Sequence, residues 1–368
     1  MAEKKMSGNK GDWSELYVFL KALGDGKIYT ADANLNKKPN IYLDVNKVLR
    51  HDGHQNLDFI RIPEEDLIRV LKNSEKYTEV DIQKIIDEYR YLLTEIRRGQ
   101  NSFEIPHTEA FVRSIGCTTI KAPSKDKTDI TMEIHEYRTG MDLIQGFSIK
   151  SHLGEKPTLF NASKKTNFVF RLKGNVNDDI VEEANKYFES KVQEKIKKGM
   201  KVLKTNDIEL EFLDTVDDTL YNNLCMVDSF APRIVAEMLI QYYVNGNKWV
   251  KDISNQLKID DPVKYRGNKD YPLYKVKIKK LLTAFALGLL PDTKWDGYEE
   301  TNGGYIVVKS NGDILCYHIY DRMDFENYLI NNTYLETPST SRHEFARIYR
   351  ENDEYRIKLN LQIRFDKK

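Results

Sequence analysis

From Ile130 onward the apolar residues stop recurring at helical spacing and alternate instead, Ile130, Met132 and Ile134 with Thr131, Glu133 and His135. A period of two sends successive side chains to opposite faces, so this stretch is a half-buried strand and the chain cannot be all-helical. Arg138-Thr139-Gly140-Met141 supplies turn residues, Leu143 to Lys150 is a second extended run, and Asn167 to Leu172 is a third. Together they predict a small sheet. If residues 138 to 141 form the turn, antiparallel partners have numbers summing to about 279. Asp129 is then opposite Lys150, and Ser148 lies two residues away on the same face.

That register has a chemical meaning. A carboxylate before a hairpin and a lysine on the return strand is the arrangement of metal-dependent phosphodiesterases, in which the acid holds a hard cation and the lysine orients water and offsets charge on phosphorus. The usual pattern carries an acid two residues before the lysine, and here that position is Ser148 in Ser148-Ile149-Lys150. Two carboxylates can replace it, Glu133 on the same strand or Glu15 in an amino-terminal helix. Glu133 lies about 13 Å along the strand from Asp129 at roughly 3.3 Å per residue, too far for one cation's shell, so Glu15 is preferred. The plainer reading of Asp129 and Lys150 is a surface cross-strand ion pair. No Gly-x-Ser-x-Gly elbow supports Ser148 as a nucleophile, and His51-x-x-His54 reads as a loop more readily than as a metal site.

Around this hairpin the chain reads as mixed α/β. Asp12 is placed to cap a helix that runs through Leu16, Phe19 and Leu23. Residues 63 to 98 suggest two amphipathic helices broken near Ser74 to Thr78. Residues 178 to 200, Ala231 to Tyr243 and Tyr274 to Leu289 read as helices. Tyr305 to Val308 and Ile314 to Tyr317 read as strands joined by a turn, and Ile357 to Phe365 also alternates. Lys plus Arg and Asp plus Glu both total 57, so a polyanion must be held by local patches rather than by the average charge. From Lys264 to Lys280 seven basic residues, among them Lys264, Arg266, Lys269, Lys275 and Lys277, face one acid, with Tyr265, Tyr271 and Tyr274 interleaved. This can track a phosphate backbone. Lys191 to Lys204 holds six lysines against Glu194, which on a helix is equally a solvated face. Thr337 to His343 packs Ser339, Thr340, Arg342 and His343 into a loop able to donate to phosphates or base edges. Its ordinary reading is a helix cap at Ser341.

Cys117, Cys225 and Cys316 are too far apart in sequence for a disulfide framework or a zinc site, which suits reduced thiols in the cytoplasm. The first fifteen residues carry Lys4, Lys5 and Lys10 without an apolar stretch behind them, so no secretory signal is expected. The longest apolar run, Leu281 to Leu290, is about half of what a bilayer span needs, and no membrane role is expected.

Several stretches together resemble the HpaII family of type II restriction endonucleases. They are Gly8-Asn9-Lys10-Gly11-Asp12-Trp13-Ser14-Glu15, the Asp129 hairpin with Gly146-Phe147-Ser148-Ile149-Lys150-Ser151, and Thr158 to Ser163 leading to Thr166-Asn167-Phe168. Ala286-Leu287-Gly288, Trp295-Asp296-Gly297, the Thr337 to His343 loop and Lys358 to Phe365 follow, so the likeness runs nearly end to end. The resemblance implies a PD-(D/E)xK nuclease core, a mixed sheet flanked by helices, with added DNA-recognition elements. It implies Mg²⁺-dependent cleavage of double-stranded DNA at CCGG or a related palindrome, with 5′-phosphate ends. Superfamily members with Ser-x-Lys complete the site with a helical Glu, which here is Glu15. The expected metal ligands are thus Asp129, Glu15 and the Ile149 carbonyl, beside Lys150 and Ser148. Asn161, Lys164, Lys165 and Asn167 join the basic and hydroxyl clusters as DNA contacts. Residues 1–200 are expected to form the nuclease core and 201–368 the recognition region, with a poorly marked boundary near 175 to 230 or one interwoven unit. Cutting both strands of a palindrome suits a homodimer, and a restriction enzyme is paired with a cognate DNA methyltransferase. The rivals are a DNA-binding module whose site has decayed at Ser148, and a sequence-nonspecific or repair nuclease.

Overall fold

The computed structural model describes residues 5–53, 55–121, 128–192, 194–266, 270–299 and 301–366; Lys4, His54 and Lys269 lie outside them. The chain forms two compact units, each discontinuous in sequence. One holds the residues up to Pro157 together with Glu299–Tyr328, and the other holds Thr158–Tyr298 and Leu329–Asp366. The expected division at residue 200 falls inside the helix Lys195–Thr205 of the second unit. Late strands return to complete the first sheet, and composition carries no trace of such a return.

The first unit is built on a nine-stranded mixed sheet. Its order is Lys27–Ala31, Ile314–His318, Gly304–Val308, Met141–Ser151, Ile130–Glu136, Lys37–Asp52, Gln55–Ile62, Leu67–Lys72 and Glu75–Asp81. Two neighbouring pairs are parallel, Met141–Ser151 with Gly304–Val308 and Lys27–Ala31 with Ile314–His318. Lys27–Ala31 also pairs with the first half of Lys37–Asp52, so the first six strands close into a ring of hydrogen-bonded neighbours. Every residue of Gly304–Val308 and Ile314–His318 is buried, as expected of central strands covered on both faces. Ile306, Val308, Ile314 and Cys316 join the core beneath the helix Lys10–Asp25. On the other face Tyr305 and Tyr317 pack against Phe325, with ring centroids 5.1 and 5.6 Å away.

Ten of the sixteen residues of the helix Lys10–Asp25 are buried, including Trp13, Leu16 and Leu20. A helix with so wide an apolar face packs into the core, and each fully buried Leu contributes about 1.5–3 kcal/mol. Its cap falls three residues earlier than Asp12. Asn9 accepts the N–H groups of Gly11 and Asp12 at 2.7 and 3.1 Å, and Asp12 returns a bond to the Asn9 N–H at 2.9 Å. This reciprocal box makes Asp12 the third residue of the helix. The helix ends at Gly26, φ +66°, where a Cβ would come 1.9 Å from the Arg61 guanidinium.

Several sequence expectations fail for identifiable reasons. Of the two helices expected over 63 to 98, only Ile82–Arg98 forms, and Leu67–Lys72 and Glu75–Asp81 are a hairpin. A four-residue apolar cluster, Leu67, Ile68, Val70 and Leu71, fits either period, and Asn73 and Ser74 at positive φ decide for the turn. The helix expected over 178 to 200 is two, Asp178–Phe188 and Lys195–Thr205, separated by Glu194 in the left-handed region. The strand Asn167–Lys173 does not join the hairpin at all. In the second unit it lies between Glu209–Thr215 and Glu354–Asn360 in a four-stranded sheet. The closing run is likewise two strands in two sheets, Glu354–Asn360 and Ile363–Phe365.

Candidate active site

The hairpin register differs from the expected one by two. Glu136 pairs with Met141 and Ile130 with Phe147, so partners sum to 277 and Asp129 comes level with Ser148 instead of Lys150. The physical reason is the loop. Glu136 accepts the Thr139 N–H at 2.8 Å and Gly140 takes φ +66°, which centres the turn one residue earlier. Asp129 precedes the strand, its N–H donating to the Phe147 carbonyl at 3.0 Å. Its Oδ2 accepts the Ile149 N–H at 2.6 Å and the Ser148 hydroxyl at 3.1 Å. Ser148 therefore stands as a clasp on the aspartate. Lys150 leaves its strand on the same face as Ser148, opposite the buried Phe147 and Ile149.

Glu15 joins the two. It lines a small depression with Asp129, Arg50 and Thr131, and also an open cleft of about 830 Å³ whose walls include Lys150, Ser151, Lys10 and Asp12. The Ser14 hydroxyl meets the Ser151 hydroxyl at 2.7 Å, tying the turn that carries Glu15 to the strand that carries Lys150. Neither serine was singled out from the sequence, although each adjoins a proposed site residue. Burial raises the Glu15 carboxyl to about 8, and the charges of Asp129 and then Asp12 push in the same direction. Glu133, the competing acid, pairs across strands with Lys47 at 3.2 Å. His51 bonds Asn56 through Nδ1 at 2.6 Å.

The donor set suits a hard cation. Glu15 and Asp129 are carboxylates repelling each other at the edge of a cleft, and Asp129 Oδ1 has no protein partner among the described residues. Among those residues no three His, Cys, Asp or Glu side chains gather as ligands. A cation here takes two carboxylates at most and completes its shell from backbone carbonyl, water and phosphate oxygens, the habit of Mg²⁺.

In the second unit, two of the sequence candidates for DNA contact meet. Asn167 is buried, donates to the His343 carbonyl at 2.8 Å and accepts from Asn360 at 2.7 Å, which makes it a clasp between loops instead of a surface contact. Lys164 pairs with Glu344, and Lys165 with Asp217 at 3.5 Å. Lys277 is half-buried and bonded to Asp228, whereas Asn161, Lys264, Arg266 and Lys275 are exposed. Ser339, not Ser341, caps the short helix Thr340–His343, leaving Arg342 exposed and His343 half-exposed. Ser339 and Thr340 also line a groove of about 760 Å³ with Lys195, Lys197 and Lys248. The hydroxyl loop and the lysine-rich helix, about 140 residues apart in sequence, thus share one surface.

The HpaII restriction endonuclease family model matches residues 9–365. The chain belongs to that family. It is also 39% identical over 361 residues to the type II restriction enzyme HpaII of Haemophilus parainfluenzae, an alignment covering 98% of each protein. No solved structure matches the chain. Membership makes the protein a type II restriction endonuclease, a hydrolase that cuts DNA site-specifically. Among the described residues no helix is long and apolar enough to cross a membrane.

Proposed function

We propose that the protein cuts double-stranded DNA at CCGG or a related short palindrome with Mg²⁺, using a PD-(D/E)xK site in which Ser148 stands where an acid is usual. The observation that carries the reading is that Glu15 lines both the depression of Asp129 and the cleft of Lys150. Glu15 and Asp129 would hold the cation, with the Ile149 carbonyl as a further ligand. When bound, the cation supplies charge neutralisation at the phosphate and makes a coordinated water more acidic. The protein's own residues do the rest. Ser148 and the Ile149 N–H fix the Asp129 carboxylate, and the Lys150 ammonium, which has no partner among the described residues, orients the attacking water and faces the growing charge on phosphorus. In-line attack then leaves 5′-phosphate and 3′-hydroxyl ends. A two-fold dimer on a palindrome, a cytoplasmic site of action and a partner methyltransferase that protects the same sequence complete the proposal.

Incubation with plasmid and Mg²⁺ tests it. Discrete fragments whose sequenced ends fall at one palindrome support the reading, and smears or lesion-dependent nicks reject it. The second acid is tested by pH. A carboxyl raised to about 8 is protonated at neutrality, so proton and cation compete for it. Half-saturating Mg²⁺ for cleavage should fall about tenfold per pH unit below 8 and level off above it. Glu15→Gln should remove this dependence along with most turnover, and Glu133→Gln should change neither; the reverse pattern makes Glu133 the ligand.

The shared groove of the second unit is assigned to phosphate contacts. Each lysine that neutralises a phosphate contributes about 0.9 to the slope of log affinity against log salt. In Ca²⁺, neutralising Lys195, Lys197 and Lys248 together should lower that slope by about 2 to 3 and weaken cognate and noncognate duplexes alike. An unchanged slope excludes the groove from the DNA path.

A further inference from the structure

An acid on the wall of the cleft, Asp12, holds a second lysine that neither the hairpin nor the metal reading uses. Lys121 Nζ donates to Asp12 Oδ1 at 2.8 Å, and Asp12 stands one helical turn before Glu15. Although 48% of its side chain is exposed, Lys121 starts from a fixed point. The buried Asp52 carboxylate accepts the N–H groups of Thr118 and Thr119 at 2.6 and 3.2 Å, and Arg50 Nη2 donates to the Thr119 carbonyl at 2.5 Å. These bonds clamp the segment before Lys121 to the end of the strand Lys37–Asp52, beside the depression that Glu15 and Asp129 line. The hydrogen bond to Asp12 and the charges of Asp12, Glu15 and Asp129 hold the Lys121 ammonium above its ordinary value. Reciprocally, Lys121 is the first of the two cations, ahead of Arg50, that ease ionisation of Glu15.

We infer that Lys121 is the resident counter-ion of the acid site, an ammonium that balances Asp12 and Asp129, and Glu15 as it ionises, and that opposes entry of a divalent cation. The inference rests on the proposed metal site and adds a residue to it. An ammonium and a divalent cation drawn to the same group of acids repel each other, whereas an ordinary helix-capping ion pair at the surface would not register at the metal. The two roles make opposite demands. A counter-ion lowers cation affinity, so its removal tightens binding; a strut maintains the site, so its removal loosens binding or leaves it unchanged.

The measurement is Mn²⁺ binding to the full-length protein without DNA, by calorimetry or electron paramagnetic resonance at fixed pH and ionic strength. Lys121→Gln should bind Mn²⁺ about tenfold more tightly than the wild type. Lys121→Met, which keeps most of the stem, should behave alike; Lys121→Arg should restore wild-type affinity. Lys84→Gln, a change at an exposed lysine on the helix Ile82–Arg98, should leave affinity unchanged. Unchanged or weaker Mn²⁺ binding in both neutral variants overturns the counter-ion role. Asp129→Asn separates this from failure of the site itself: wild-type Mn²⁺ affinity in that variant overturns the metal reading, and the counter-ion with it.

Discussion

Asp129→Asn should lower the rate of DNA cleavage by at least about 10³-fold while leaving the fold and cognate binding in Ca²⁺ intact. The expectation follows from two jobs done by one side chain. Oδ2 accepts the Ile149 N–H and the Ser148 hydroxyl, and an asparagine oxygen keeps the backbone bond. What asparagine loses is the charge that pairs with a cation. A 10³-fold loss corresponds to about 4 kcal/mol of transition-state stabilisation, within reach of one electrostatic group. Asp129→Ala should lose activity to the same extent and also destabilise the first unit by about 1–3 kcal/mol, because the Ile149 N–H is left without its acceptor. Single-turnover cleavage, a Ca²⁺ binding isotherm and a denaturation curve for the pair separate the two jobs. Cleavage by Asp129→Asn within tenfold of wild type would sink the assignment. Ser148→Ala, which removes one clasp and no charge, should cost less than either.

Lys150→Ala is expected to be nearly as severe, again about 10³-fold, with half-saturating Mg²⁺ little changed. Its ammonium has no partner among the described residues, so its removal breaks no internal pair, and a loss of turnover reports on chemistry instead of folding. Lys150 sits in register with Val307 on the parallel strand Gly304–Val308, which holds its backbone whatever the side chain. Lys150→Arg keeps the charge but replaces a compact ammonium with a planar fork, and it should recover only part of the rate. Rapid-quench rates over a Mg²⁺ series test this. A variant that cuts normally at saturating Mg²⁺ would reduce Lys150 to a minor contributor to cation binding.

Much of the core was legible in the chain. Strict alternation from Ile130 reports a half-buried strand because a pleated backbone has a period of two, and the apolar face of the helix through Leu16 and Leu20 reports its burial for the same kind of reason. The preference for Glu15 over Glu133 came from the rise per residue, which puts Glu133 about 13 Å along the strand from Asp129. The structure adds that Glu133 is paired with Lys47. Less accessible was the register, because sums of residue numbers depend on the centre of a turn, and Glu136 bonding back to the Thr139 N–H moved that centre by one.

The sequence by itself carried most of the local periods, the family and the candidate reactive groups, since each is written in adjacent residues or in short motifs. Only the tertiary structure decided which of those groups meet. Ser14 against Ser151, Lys121 against Asp12, and the Lys195 helix beside the Ser339 loop join residues more than a hundred positions apart. Such encounters depend on burying the apolar faces of helices and sheets against one another, a property of the whole fold to which no local window of sequence has access.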